Sequence, residues 1–260
     1  MGVVPLLSCE KVDKHYGPVE ALTGIDIDIG EGEIVGLAGD NGAGKSTLMK
    51  IVAGSEHPTA GSIMLQGKPF ERHSVLDARS SGIEMVYQDL ALCENLNVVD
   101  NIFLGREIKR RVLPGVGTLS RGEMTQRAGA LLDRLEIPLK SLVEPVASLS
   151  GGQRQAVAIC RALTFSPHLV LLDEPTAALS VHAVAPLLQL IRRLPNQGTS
   201  VLIVSHRLSD LLSVSDRIYV LRNGRVVTNL RTSETTAGEV VRLMAGVEDL
   251  DPEIDRRSGE

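Results

Sequence analysis

Three features of this 260-residue sequence predict an α/β fold. A short apolar strand runs straight into a glycine loop and a helix. Two later strands are apolar along their whole length and are separated by helical sequence. The N-terminal part and the middle of the chain differ in character from this core. Strands without a polar face are covered on both sides, as helices packed on a parallel sheet cover them.

Taken in order, Ile25-Asp26-Ile27-Asp28-Ile29 alternates as a half-exposed strand within Glu20 to Ile29, and Ser62 to Leu65 before Gly67 reads as another, so the N-terminal part is β-rich. Glu33 to Gly39 is the strand entering the glycine loop, and Ser46 to Ala53 has helical spacing. The stretch from about Glu94 to Ser148 is expected to be a helical lobe: Ser120 and Glu123 stand in the capping-box relation, and helical apolar spacing continues to Leu135. Leu169 to Leu172 and Val201 to Val204 are the two buried strands. Arg217 to Val227 carries Asn223-Gly224, a pair suited to the positive φ angles of a hairpin turn. The segment from Gly246 to Glu260 is charged and is expected to be a mobile tail. No internal repeat is found.

A hydrophobic fraction of 43% is enough for the core of one large domain. Aromatic residues make up 2%, tryptophan is absent and the formal net charge is -5, so the chain lacks both stacking platforms and the positive footprint of a nucleic-acid binder. Cys9, Cys93 and Cys160 lie far apart, which makes no disulfide framework and fits a reducing compartment. No apolar run approaches the roughly 20 residues of a membrane span, and the start has no basic lead, so a membrane role is expected to come through a partner.

The chemistry concentrates in three motifs. Gly39-Asp40-Asn41-Gly42-Ala43-Gly44-Lys45-Ser46-Thr47 satisfies GxxxxGK[ST] after a strand and before a helix. Glycines let backbone N–H groups turn toward phosphate oxygens, Lys45 brings a point charge to the β- and γ-phosphates, the Ser46 hydroxyl suits Mg²⁺, and Thr47 suits the α-phosphate. Asp173 and Glu174 end an apolar strand, with alternation expected to aim them differently: Asp173 toward the Mg²⁺ shell, Glu174 toward the attacking water. Ser150-Gly151-Gly152-Gln153 reads as a capping box on a helix whose N–H groups are open to an anion, with two glycines that keep side chains out of its way.

With Leu149 to Gln155 added to the first two motifs, the chain resembles the ATP-binding cassette (ABC) family from about Leu7 to Gly246. The resemblance implies a P-loop NTPase (RecA-like) core with an N-terminal antiparallel β-subdomain and an inserted α-helical subdomain at about 94–160. It implies one nucleotide-binding domain over residues 1–246, followed by a tail over 247–260. It further implies that Ser150 to Gln153 meet the γ-phosphate held by the opposite subunit, so that ATP and Mg²⁺ are handled by a dimer. Tyr16 matches the aromatic that stacks on adenine. Gln88 matches the glutamine that senses Mg²⁺ and the attacking water, and His206 the histidine that contacts the γ-phosphate. Ser180 stands where the family commonly has Asp, which leaves an acid-mediated contact across the dimer unsupported.

More narrowly, the phosphate loop, Tyr87 to Leu92 and Asn101 to Glu107 are similar to ATPase subunits of ribose- and fructose-type importers, many of which carry two cassettes where this chain holds one. The resemblance therefore implies a second copy or separate cassette, an integral-membrane permease, a periplasmic sugar-binding protein beyond it, and a peripheral place on the cytoplasmic face of the inner membrane. A soluble ABC-type ATPase of DNA repair, translation or cofactor assembly is the competing expectation. The acidic balance and the absence of a long heptad pattern speak against it. The basic run Lys109-Arg110-Arg111 is expected to be a solvated face.

Overall fold

The structure is a computed structural model that describes residues 4–70, 74–113 and 116–247. The expected tail from 248 onward lies outside the described residues. Its centre is a six-stranded sheet in the order Arg225–Arg231, Arg217–Arg222, Ile34–Ala38, Ser200–Val204, Leu169–Asp173, Ile83–Val86. Neighbouring strands run parallel except for the Arg225–Arg231 edge, which pairs antiparallel with its hairpin partner. The turn of that hairpin is Asn223-Gly224, with φ of 48° and 72°.

The inner strands are buried along their length, and their two side-chain faces feed two different cores. Val35, Leu37, Leu171 and Leu202 pack with Leu48, Met49 and the inward isoleucines Ile25, Ile27 and Ile29. Val170, Leu172, Val201 and Ile203 face the other way, onto Val157, Ile159, Leu187 and Leu190 of the helices Gly151–Leu163 and Val181–Arg193. The first core is closed by a four-stranded antiparallel sheet, ordered Val19–Ile29, Leu7–Tyr16, Ala60–Leu65, Lys68–Pro69.

The middle of the chain holds the helices Val98–Ile102 and Arg121–Arg134. Between them is an antiparallel pair that the helical expectation did not include, Lys109–Leu113 with Val116–Leu119. The sequence there carries Pro114-Gly115, a turn signal that interrupts helical spacing. Lys109 and Arg110 are exposed on this ribbon. Ser120 is the N-cap of Arg121–Arg134 but makes no side-chain cap bond. Its hydroxyl turns to the Glu123 carboxylate at 3.4 Å, so the expected capping box does not form. Among the described residues no helix is long and apolar enough to cross a membrane.

Candidate functional site

Four of the singled-out segments leave neighbouring parallel strands at the same end. The loop from Gly39 follows Ile34–Ala38, His206 follows Ser200–Val204, Glu174 follows Leu169–Asp173 and Gln88 follows Ile83–Val86. The carboxyl ends of parallel strands are where open α/β sheets bind ligands, because loops there are free of the ladder and helices begin there.

The loop glycines have separate reasons. A Cβ on Gly39 would lie 2.5 Å from the Leu221 carbonyl, and one on Gly44 would lie 2.5 Å from Leu22 Cδ2. Both are therefore set by packing against the hairpin and the antiparallel sheet. Gly42 has a φ of +84° with nothing within 4 Å of a Cβ, so it is open space that needs a left-handed backbone. The hairpin also supports the loop directly, since Gly224 N–H donates to the Ala43 carbonyl at 3.2 Å. Gly44 caps Lys45–Val52 without a side chain, which leaves the first N–H groups of that helix facing the loop.

Lys45 is buried, and its ammonium donates to the carbonyls of Gly39 at 2.7 Å and Asp40 at 2.9 Å. Burial pushes its pKa down, while the carboxylates of Glu174, Asp40 and Asp173 pull it back up. Asp173 is shifted up, chiefly by burial, with Lys45 opposing. Simple strand alternation does not govern the acidic pair. Asp173 is the last strand residue, whereas Glu174 leaves the strand at a φ of 52°, a strained conformation for a residue with a side chain.

Glu174 is buried, and its Oε2 accepts from His206 N–H at 3.0 Å. Its Oε1 lies 3.2 Å from His206 Nε2 without the alignment of a hydrogen bond, so it is a buried acceptor with no donor. Such an atom is costly unless something fills it. Beyond the expected residues, Thr176 donates to Asp210 at 2.7 Å in a fully buried pair that anchors the chain after Glu174.

Ser150 and Gln153 do form the predicted capping box: Gln153 N–H donates to Ser150 Oγ at 3.3 Å, and Ser150 N–H to Gln153 Oε1 at 3.0 Å. One of the two glycines has a packing role besides the expected one. A Cβ on Gly152 would stand 2.9 Å from Ala183 Cβ, so Gly152 is needed for close approach of the helix Val181–Arg193. No hydrogen bond or ion pair among the described residues joins Ser150–Gln153 to the phosphate loop. Gln88 is exposed just past its strand. Tyr16 sits at the tip of the antiparallel sheet, 41% exposed, with Lys14 Nζ 4.8 Å from its ring centroid and so covering one face. Ser180 is the N-cap of Val181–Arg193 without a side-chain bond.

Against known families, a model described as ABC transporter matches residues 22–177. The chain belongs to this family. It is an ABC-type ATPase with the P-loop NTPase fold. The cassette is 44% identical over 239 residues to the xylose/arabinose import ATP-binding protein XylG of Sulfolobus acidocaldarius, covering 92% of this chain and 93% of that protein. It is 41% identical to the ribose import ATP-binding protein RbsA of Yersinia pestis over 95% of this chain and 47% of that protein, so the cassette spans about half that relative. Among solved structures it is similar to the ATP-binding cassette MJ0796, in a dimeric post-hydrolysis state bound to ADP and Pi. The TM-score is 0.71 and the identity 28%, over 87% of this chain and 98% of that one.

Proposed function

We propose that this ABC ATPase drives carbohydrate uptake through a separate membrane permease, and that its hydrolytic site is completed by a second cassette. The sugar class is carried over from the xylose/arabinose and ribose import proteins it resembles. Partnership with a second copy is supported by the dimeric cassette it resembles and by the lack of any link between Ser150–Gln153 and the phosphate loop of the same chain. In this reading residues 1–246 form one nucleotide-binding domain with its helical subdomain at about 94–160. The subunit sits on the cytoplasmic face of the inner membrane, and a periplasmic sugar-binding protein delivers substrate to the permease.

The observation that carries hydrolysis is the donor-less Glu174 Oε1. It accepts a hydrogen bond from a water molecule and holds it in line with the γ-phosphate. The water releases a proton to Glu174 as its oxygen bonds to phosphorus and the bond to the β–γ bridging oxygen breaks; ADP leaves with that oxygen, and the proton passes on to the phosphate formed. Lys45 exchanges the Gly39 and Asp40 carbonyls for β- and γ-oxygens, His206 keeps Glu174 oriented and reaches the γ-phosphate, and Ser150 to Gln153 of the second copy close the other side. Tyr16 offers its open face to the adenine.

Ser46, Asp173 and Gln88 offer hydroxyl, carboxylate and amide oxygens, all hard donors. Among the described residues there is no cluster of three or more His, Cys, Asp or Glu to cage a metal. That donor set fits Mg²⁺, which keeps water and phosphate ligands. When bound, the ion neutralises charge on the phosphates. Affinity isolation of the tagged chain from native membranes is expected to recover a multi-span permease and a sugar-binding protein. Recovery with soluble partners alone would overturn the transport assignment.

A further inference from the structure

The segment that follows Gln88 has neither helix nor strand from Gln88 to Leu96, yet it is held from two sides. On one side the buried Asn101 accepts from Cys93 N–H at 2.8 Å and donates to the carbonyls of Cys93, Leu96 and Asn97. On the other, Arg161 spreads its two terminal nitrogens over successive carbonyls, Leu90 at 2.6 Å and Ala91 at 2.7 Å. Ala91 has a φ of 48°, a conformation that alanine adopts only when its surroundings hold it there.

Arg161 forms no ion pair among the described residues. Glu84, which lines the same cavity of about 180 Å³, is already taken by Arg79 and Arg106. A guanidinium drawn out of water with only two carbonyls as partners is an expensive helix ornament, and a planar fork suits two adjacent oxygens where a lysine would reach one. Its location gives the contact a use. Arg161 lies in the last turn of Gly151–Leu163, the helix whose first turn carries Gly151 to Gln153. The two ends are separated by roughly 15 Å of rigid helix.

We infer that Arg161 is a positioning residue that makes the Gln88 segment follow the helix Gly151–Leu163. Engagement of Ser150 to Gln153 by the nucleotide of a second copy then sets where Gln88 stands. The inference rests on the role given to Gln88 above and deepens it.

The test compares Arg161→Met, which keeps the apolar stem without donors, and Arg161→Lys, each with Gln88 intact and in a Gln88→Ala background. Steady ATP turnover is measured against Mg²⁺ concentration, together with the alkylation rate of Cys93, the one exposed cysteine of three. With Gln88 present, Arg161→Met is expected to lower turnover about tenfold, raise the Mg²⁺ requirement and speed Cys93 alkylation, while Arg161→Lys falls between. In Gln88→Ala the same change is expected to cost less than about twofold, because residues acting as one unit are not additive. Equal losses in both backgrounds, or unchanged Cys93 alkylation, overturn the link. Gln88→Ala with unaltered turnover and Mg²⁺ dependence would sink the role of Gln88 itself, while Cys93 would still report on the tether. If Arg161→Met gives no cooperative melt, Arg161→Lys carries the comparison.

Discussion

The two ends of the parallel sheet treat charge in opposite ways. At the amino ends, Arg217 is clasped by Glu33 at 2.6 and 2.9 Å and by Asp28 at 2.9 Å, and Tyr219 OH donates to Asp28 at 2.7 Å. Each of these four side chains has a partner, and the cluster ties the antiparallel sheet to the parallel one. At the carboxyl ends Lys45 rests on backbone carbonyls, Glu174 is strained, and its Oε1 has no donor. The sheet thus carries a closed network around Arg217 on one side and an open one around Glu174 on the other. A satisfied network stabilises the fold, and an unsatisfied one is where binding energy is realised.

The largest expected effect comes from breaking the open end. Glu174→Gln keeps the shape but removes the charge that polarises water, so turnover should fall about 10²- to 10⁴-fold while ATP still binds. The ATP-loaded variant should accumulate as a dimer on size exclusion with Mg²⁺. Turnover within threefold of the parent, roughly 0.7 kcal/mol in the barrier, would remove Glu174 from the mechanism.

Breaking the closed end should do the reverse. Arg217→Met strands Glu33 and half-exposed Asp28, and unfolding in urea should show a loss of about 2 kcal/mol, smaller than for a fully buried pair. Nucleotide affinity should hardly move. A fall in affinity with unchanged stability would mean that the two ends are not separable.

How much of each end could be read from sequence follows the same division. The open end was legible because phosphate chemistry demands residue types in local order, as in Gly39 to Ser46 and Asp173-Glu174. The closed end was not, since Arg217 meets Glu33 and Asp28 across 184 and 189 residues. Arg161 is similar, reaching carbonyls 70 and 71 residues away from what reads as an ordinary basic last turn. The strand Leu7–Tyr16 escaped the alternation rule because its pairing shifts register between Cys9 and Val12, Val12 and Lys14, and Lys14 and His15. Gly152 was legible as a glycine, yet its packing on Ala183 appears only in three dimensions.

That last contact gives a smaller and sharper test. Gly152→Ala places a methyl 2.9 Å from Ala183 Cβ and should cost about 1–3 kcal/mol of stability. Ala183→Gly in the same chain should restore most of it. If stability returns while turnover does not, Gly152 also serves the phosphate as the sequence suggested. If both return, its role is helix packing alone.

The smallest effect expected is confined to alkaline pH. Burial pushes the Tyr219 phenol up to about 12; the Asp28 backbone and Arg217 pull it down, and the Asp28 carboxylate pushes it up. An acid whose folded pKa is raised contributes stability in full below its unfolded value near 10 and loses it as pH rises toward 12, because the unfolded chain releases that proton first. The melting temperature should therefore fall between pH 10 and 12 more steeply than in Tyr219→Phe, which is expected to be about 1 kcal/mol less stable at pH 7 and flatter above 10. A parallel decline of both proteins would place the alkaline sensitivity elsewhere. It would also show that the amino-end cluster is held by Arg217 and its carboxylates without help from the phenol.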